Sequence, residues 1–150
     1  MDRTELGLGL GLRLLGIHQF LYEKTGGLYG SRLGSIRVLL LRTRGRKSGR
    51  QRTAALTYVE DGERLAVVGS KGGSDSPPAW LLNLQANPEV EVQIGRRRFP
   101  ARARLATPAE QRRLWKEAVR VWPAYDSYQA RTSRPIPIVV LEPAAGRRSS

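Results

Sequence analysis

No cysteine occurs among the 150 residues, so disulfides, thiolate metal sites, iron–sulfur clusters and cysteine nucleophiles are excluded. There is one histidine, His18, which rules out a multi-histidine metal centre and obliges any Ser-His-Asp arrangement to use it. Acidic residues number only 13 and form no close group in sequence, so no metal site is expected. Long apolar runs are also missing. The leucine-rich stretch 6–21 is broken by Arg13 and is too short to span a bilayer. It also has neither the basic flank nor the cleavage site of a signal peptide, and a cytoplasmic protein is expected.

Basic residues are plentiful. Of 26, four are Lys and twenty-two are Arg, giving a formal charge of +13. Such a balance attracts polyanions: nucleic acid, anionic lipid or a phosphorylated coenzyme. Arginine is the better bidentate partner for phosphate and carboxylate. An Arg-rich, Lys-poor composition is also what a GC-rich genome produces, so charge alone does not choose the partner.

Leu6, Leu10, Leu14, Ile17 and Leu21 fall on one helical stripe, predicting a helix over 5–21 that packs on the core or docks on anionic membrane. Strands are predicted over 36–42, 53–60, 64–70, 89–94, 97–106 and 136–141, with Asp61-Gly62 as a hairpin turn. Ser76 before Pro77 signals a helix start, and 78–86 is predicted helical with Trp80, Leu81 and Leu84 on its buried face. Thr107-Pro108-Ala109-Glu110 is a capping box opening a helix to Val121. Arg98, Arg102 and Arg104 should face solvent or an anion. The pattern is mainly β with helices added (α+β): a small, largely antiparallel barrel of about six strands. Residues 1–35 form a helical extension, 36–143 the barrel domain and 144–150 a disordered tail.

Two glycine loops carry the candidate chemistry. Gly45-Arg46-Lys47-Ser48-Gly49 joins two strands and can present backbone N–H groups and cations to a phosphate, although its spacing is not that of a P-loop. Ser70-Lys71-Gly72-Gly73 precedes a helix N-terminus, a second place for an anion. Both are equally readable as solvated connections. Asn83 should lie toward an edge of its helix, able to donate to a phosphate. Trp122, Tyr125 and Tyr128 cluster around Pro123 in a predicted loop, lining a pocket or packing the barrel end.

Four segments in this order and spacing, TRGRKSGRQR, SKGG, PAWLLNLQANPEVEVQI and YDSYQARTSRPIPIVVLEP, resemble the deazaflavin-dependent nitroreductases, actinobacterial oxidoreductases of the split β-barrel type. The resemblance covers Ile36 to Pro143. It implies reduced coenzyme F420 as cofactor and hydride transfer to an electron-poor acceptor: a quinone, an activated enone or a nitro-aromatic. By the same resemblance the coenzyme falls to Arg46, Lys47, Ser48, Arg52, Ala55, Ser70, Lys71, Trp80 and Asn83. The acceptor falls to Thr57, Trp122, Tyr125 and Tyr128, with Tyr125 and Tyr128 as candidate proton donors. Three positions depart from the family pattern: Ala55 stands for Pro, Thr57 for Tyr and Trp122 for a position that is commonly Tyr. The alternatives are an FMN-binding relative, a basic barrel that binds nucleic acid, and a non-catalytic F420 carrier. Nucleic acid is disfavoured because the strands carry few aromatics, Tyr58 and Phe99. A quinone acceptor would suit peripheral contact at the inner face of the membrane. Oligomeric state is left open.

Overall fold

The computed structural model describes residues 32–33 and 36–144. The predicted N-terminal helix, His18 and the predicted tail from residue 145 lie outside the described residues. The strands are β1 (Arg32–Leu33), β2 (Ile36–Arg44), β3 (Gln51–Thr57), β4 (Val59–Asp61), β5 (Arg64–Val68), β6 (Glu89–Ile94), β7 (Arg97–Leu105) and β8 (Ile138–Pro143). The helices are α1 (Ala79–Ala86), α2 (Pro108–Val121) and α3 (Ala124–Arg131), and a 3-10 turn spans Lys71–Gly73. Every strand pair is antiparallel, in the order β1-β2-β6-β7-β8-β5-β4, with β3 on the other edge of β2. The stretch 53–60, predicted as one strand, is divided at Tyr58 between β3 and β4. Its first half pairs with β2 and its second with β5, so the sheet curls back on itself. The barrel of the split β-barrel type is therefore present.

Period-2 alternation divides two cores between the faces of this sheet. Leu39 and Leu41 of β2, Leu65 and Val67 of β5, and Val139 and Leu141 of β8 are fully buried in the barrel interior. Their neighbours Ala66, Val68, Ile138 and Val140 point the other way, onto Leu114 and Ala118 of α2 and Tyr125 of α3. Burial on both faces is why β5 and β8 read as continuous apolar runs rather than as alternating ones. Leu81 and Leu84 of α1 enter the interior core, while Trp80 is only half-buried. Each fully buried leucine contributes about 1.5–3 kcal/mol.

Three local expectations are corrected. Ser76 does not cap α1. Pro78 does, with extended φ/ψ of −66° and 149°, because a residue before proline is pushed out of the helical region and Pro77 precedes Pro78. The last strand begins at Ile138, not 136, since Pro137 has no N–H for the ladder. The segment 124–131, expected as a loop, is the helix α3. Pro123 stops α2 and then serves as the N-cap of α3, a helix end where its missing N–H costs nothing.

The capping box forms as expected: Glu110 N–H donates to Thr107 Oγ1 at 3.3 Å, and Thr107 N–H to Glu110 Oε1 at 2.8 Å. Arg104 donates to both oxygens of the same carboxylate, at 2.7 and 3.0 Å. The Arg104 guanidinium, helped by the Thr107 N–H, holds the Glu110 carboxyl down at about 2 against the opposing effect of burial. A carboxyl depressed in the folded state binds fewer protons there than in the unfolded chain. Its contribution is therefore complete above the ordinary carboxylate range and disappears as pH falls toward 2. Glu110→Gln is expected to lower stability by up to about 1 kcal/mol at pH 7. Urea unfolding at pH 2 should show a much smaller difference. An equal loss at both pH values would mean that the ion pair contributes nothing.

Candidate active site

The glycine loop ends the β2–β3 hairpin and is closed on itself. Gly45 N–H donates to Arg50 O at 2.7 Å, Gly49 N–H to Gly45 O at 2.8 Å, and Arg50 N–H to Ser48 Oγ at 3.1 Å. Gly49 has φ +71°, a left-handed conformation that costs glycine little. Asn83 fastens this loop to α1. Its Oδ1 accepts from Arg46 N–H at 3.1 Å and from the Arg46 guanidinium at 3.3 Å, while its Nδ2 donates to buried Thr43 Oγ1 at 3.3 Å. Asn83 is 3% exposed, so it is not the edge residue expected from the sequence. Its amide is spent on positioning Arg46. It is the buried neighbour of Trp80 on α1, and only the fold reveals that its partner is the glycine loop.

Between this loop and α1 lies a cleft of about 450 Å³, within the range of small-molecule sites. Arg46, Lys47, Ser48, Arg52, Trp80 and Asn83 line it, as do Gly45, Thr53, Ala54 and Ala79, which the sequence did not single out. Of the expected coenzyme residues, Ala55, Ser70 and Lys71 do not line the cleft. Ala55 sits next along β3, whose edge away from β2 pairs with no strand among the described residues. Ser70 and Lys71 belong to the second loop, which packs on α3 instead.

Charge is distributed unevenly. On β7, Arg98, Arg102 and Arg104 each face a carboxylate, from Glu91, Glu89, and Glu110 with Glu142 respectively. The anions they were expected to meet are thus the chain's own. Arg46, Lys47 and Arg52 have no acidic partner within ion-pair distance among the described residues. The backbone N–H groups of Lys47 and Ser48 are likewise unpaired there. An exposed loop with free N–H groups and uncompensated cations is an anion cradle.

The residues expected at the acceptor gather at the other end of β3. Thr57 Oγ1 and Tyr125 Oη are 2.5 Å apart. Tyr125 is buried, and its ring meets Tyr128 edge-on at 6.0 Å and Trp115 at 6.2 Å. Burial pushes the Tyr125 phenol up, only partly offset by the Thr57 hydrogen bond, so it stays protonated at neutral pH. Trp122 Nε1 donates to Tyr128 Oη at 3.4 Å, which leaves the Tyr128 proton free to be donated elsewhere. All four expected acceptor residues therefore form one cluster. Trp115, which joins it from α2, was not foreseen; its only signal was a place on the helix preceding Pro123. The strand aromatics Tyr58 and Phe99 are 7% and 8% exposed, so neither offers a face on which bases could stack.

The family model described as F420H(2)-dependent quinone reductase matches residues 14–143. The chain belongs to this family. It is 43% identical over 140 residues to an F420H(2)-dependent quinone reductase of Mycobacterium tuberculosis (strain H37Rv), covering 88% of this chain and 91% of that protein. The solved structure of an F420-H2 dependent reductase is 40% identical, with a TM-score of 0.65, covering 70% of this chain and 93% of the other. A solved structure described as a domain-swapped dimer is 34% identical, with a TM-score of 0.67, covering 94% and 100%. The reductase is an F420-dependent oxidoreductase, with reduced F420 as its cofactor. Its residues fit that acidic, phosphorylated coenzyme: the cradle supplies free N–H groups and unneutralised cations, and Trp80 supplies an apolar wall. No helix among the described residues is long and apolar enough to cross a membrane.

Proposed function

We propose that the reductase reduces a quinone, with β3 as the ruler that aligns donor and acceptor. What supports this is the polarity of β3: uncompensated cations of the glycine loop at one end, a hydroxyl-bearing aromatic wall at the other. Thr57 lies three residues beyond Ala54, roughly 10 Å along an extended strand, a span suited to a flat ring system. Arg46, Lys47, Ser48 and Arg52 hold the coenzyme's anionic end, and the free edge of β3 at Ala55 offers it backbone hydrogen bonds. When bound, reduced F420 supplies a hydride to the acceptor. A quinone that accepts a hydride needs one further proton to become a hydroquinone, and in this reading Tyr128 Oη gives it. The Thr57–Tyr125 hydroxyl pair holds the second quinone oxygen, and bulk water returns the proton to Tyr128. Trp122 and Tyr128 shield the reacting face from water.

Titration of tryptophan fluorescence with F420 and, separately, with FMN tests the coenzyme site, because Trp80 lines the cleft. F420 is expected to bind with micromolar or better affinity and FMN about tenfold more weakly or worse, a gap of about 1.4 kcal/mol. Equal or tighter FMN binding would remove the basis for the site.

A lipid-borne quinone calls for contact with the membrane, and the proposed contact is the apolar stripe at 6–21 flanked by Arg3, Arg13 and Lys24. Full-length protein should float with anionic liposomes, and protein lacking residues 1–30 should not. Equal flotation would end this assignment.

A further inference from the structure

Lys71 has φ +45°, an uncommon conformation for a residue with a side chain, and the loop around it is held from behind. The holder is Arg134. Its Nη1 donates to Gly69 O at 3.2 Å, its Nη2 to Ser70 O and Ser74 O at 3.1 Å each, and its Nε to Ser74 O at 3.2 Å. The guanidinium has no carboxylate within ion-pair distance among the described residues, so its donors are committed to carbonyls of this loop. A second fastening lies beside it: Thr132 Oγ1 donates to Asp75 Oδ1 at 2.6 Å and accepts Arg134 N–H at 3.1 Å. The loop also touches α3 directly. A Cβ on Gly73 would lie 2.8 Å from Tyr128 O, too close to be accommodated, and Gly73 has φ +83°. Lys71 and Tyr128 thus stand on two segments bolted together through Arg134, Thr132 and Gly73.

We infer that Arg134 is a positioning residue that locks the Lys71 loop to the end of α3, so that the coenzyme anchor and the acceptor wall keep a fixed spacing. This rests on the assignment of Tyr128 to the acceptor made above and on Lys71, outside the cleft of the glycine loop, as the second coenzyme contact that the family resemblance implies. A planar fork that reaches three carbonyls cannot be replaced by one ammonium group. Charge alone would survive Arg134→Lys, whereas the lock would not.

The experiment compares Arg134→Lys with Lys47→Ala and Tyr128→Phe, measuring F420 affinity by fluorescence and both KM and turnover for a soluble quinone. In the coenzyme-free protein it also follows amide hydrogen exchange at Gly73 and Ser74. Arg134→Lys is expected to weaken F420 binding and raise the quinone KM, each by about tenfold, and to speed exchange at both amides. Lys47→Ala should move only the first quantity and Tyr128→Phe only acceptor turnover. Parent-like binding, KM and exchange in Arg134→Lys overturn the lock, as does a change confined to one ligand. If Lys47→Ala leaves F420 affinity intact, the site assignment itself fails and the lock's purpose with it; if only Arg134→Lys is silent, the lock alone fails. Should Arg134→Lys not fold, Asp75→Asn weakens the neighbouring fastening alone. It should shift both ligands in the same direction by a smaller factor, and no shift would overturn the lock.

Discussion

Lys47→Ala is expected to weaken F420 binding by roughly 1.5–3 kcal/mol, one to two orders of magnitude in Kd, the scale of a hydrogen bond to a charged group. Lys47 is exposed on the glycine loop and lines the cleft. It has no acidic neighbour of its own among the described residues, so a coenzyme anion does not have to displace one. Its ammonium contributes nothing to the hydrogen bonds that close the loop, which run through Gly45, Gly49, Ser48 and Arg50. The substitution should therefore leave thermal stability within about 0.5 kcal/mol of the parent. Binding also becomes less sensitive to salt, because one screened contact has gone. A fluorescence titration at low and physiological ionic strength measures both effects. Unchanged affinity at both would show the loop to be a solvated hairpin.

Tyr128→Phe is expected to lower turnover with a quinone by roughly 10- to 1,000-fold, the cost of losing a donor whose bond forms mainly in the transition state. The ring remains, so its edge-on contact with Tyr125 remains, and the Tyr128 backbone that meets Gly73 is unchanged. F420 affinity should not change. Tyr125→Phe differs in kind, because Tyr125 Oη is buried against Thr57 and acts together with that hydroxyl. It leaves a threonine that can still donate, so its loss in turnover should be the smaller of the two. Steady-state kinetics under saturating F420H2 distinguish them. Parent-like turnover in Tyr128→Phe would take that hydroxyl out of the reaction.

Much of the barrel could be read from patterns that local chemistry enforces. The strand Glu89–Ile94, the Asp61-Gly62 turn and the capping box at Thr107 depend on neighbours within a few residues, and all three form as expected. The starts of α1 and β8 lie one or two residues from where the sequence pattern puts them, each time at a proline, which restricts its neighbour and lacks an N–H. Helix α3 was missed because AYDSYQAR has almost no one-sided apolar pattern. Its only buried residue is Tyr125, and tertiary packing holds it.

By itself, the sequence determined the absence of cysteine and of a histidine cluster, the excess of arginine, the places of most strands along the chain and the four spaced motifs. These select the family and with it the coenzyme, because they are properties of residue types and intervals along the chain. Only the tertiary structure decided which arginines are free to meet a ligand. Those on β7 look like those of the glycine loop in composition, but antiparallel pairing sets Glu89 opposite Arg102, and helix α2 brings Glu110 to Arg104. It also decided that Asn83 faces inward to the loop, and that Thr57, 68 residues from Tyr125 in the chain, completes its hydroxyl pair. Coulomb energy and hydrogen bonding depend on separation through space, and a separation of a few ångströms between distant residues exists only once the sheet has curled and the helices have packed on it.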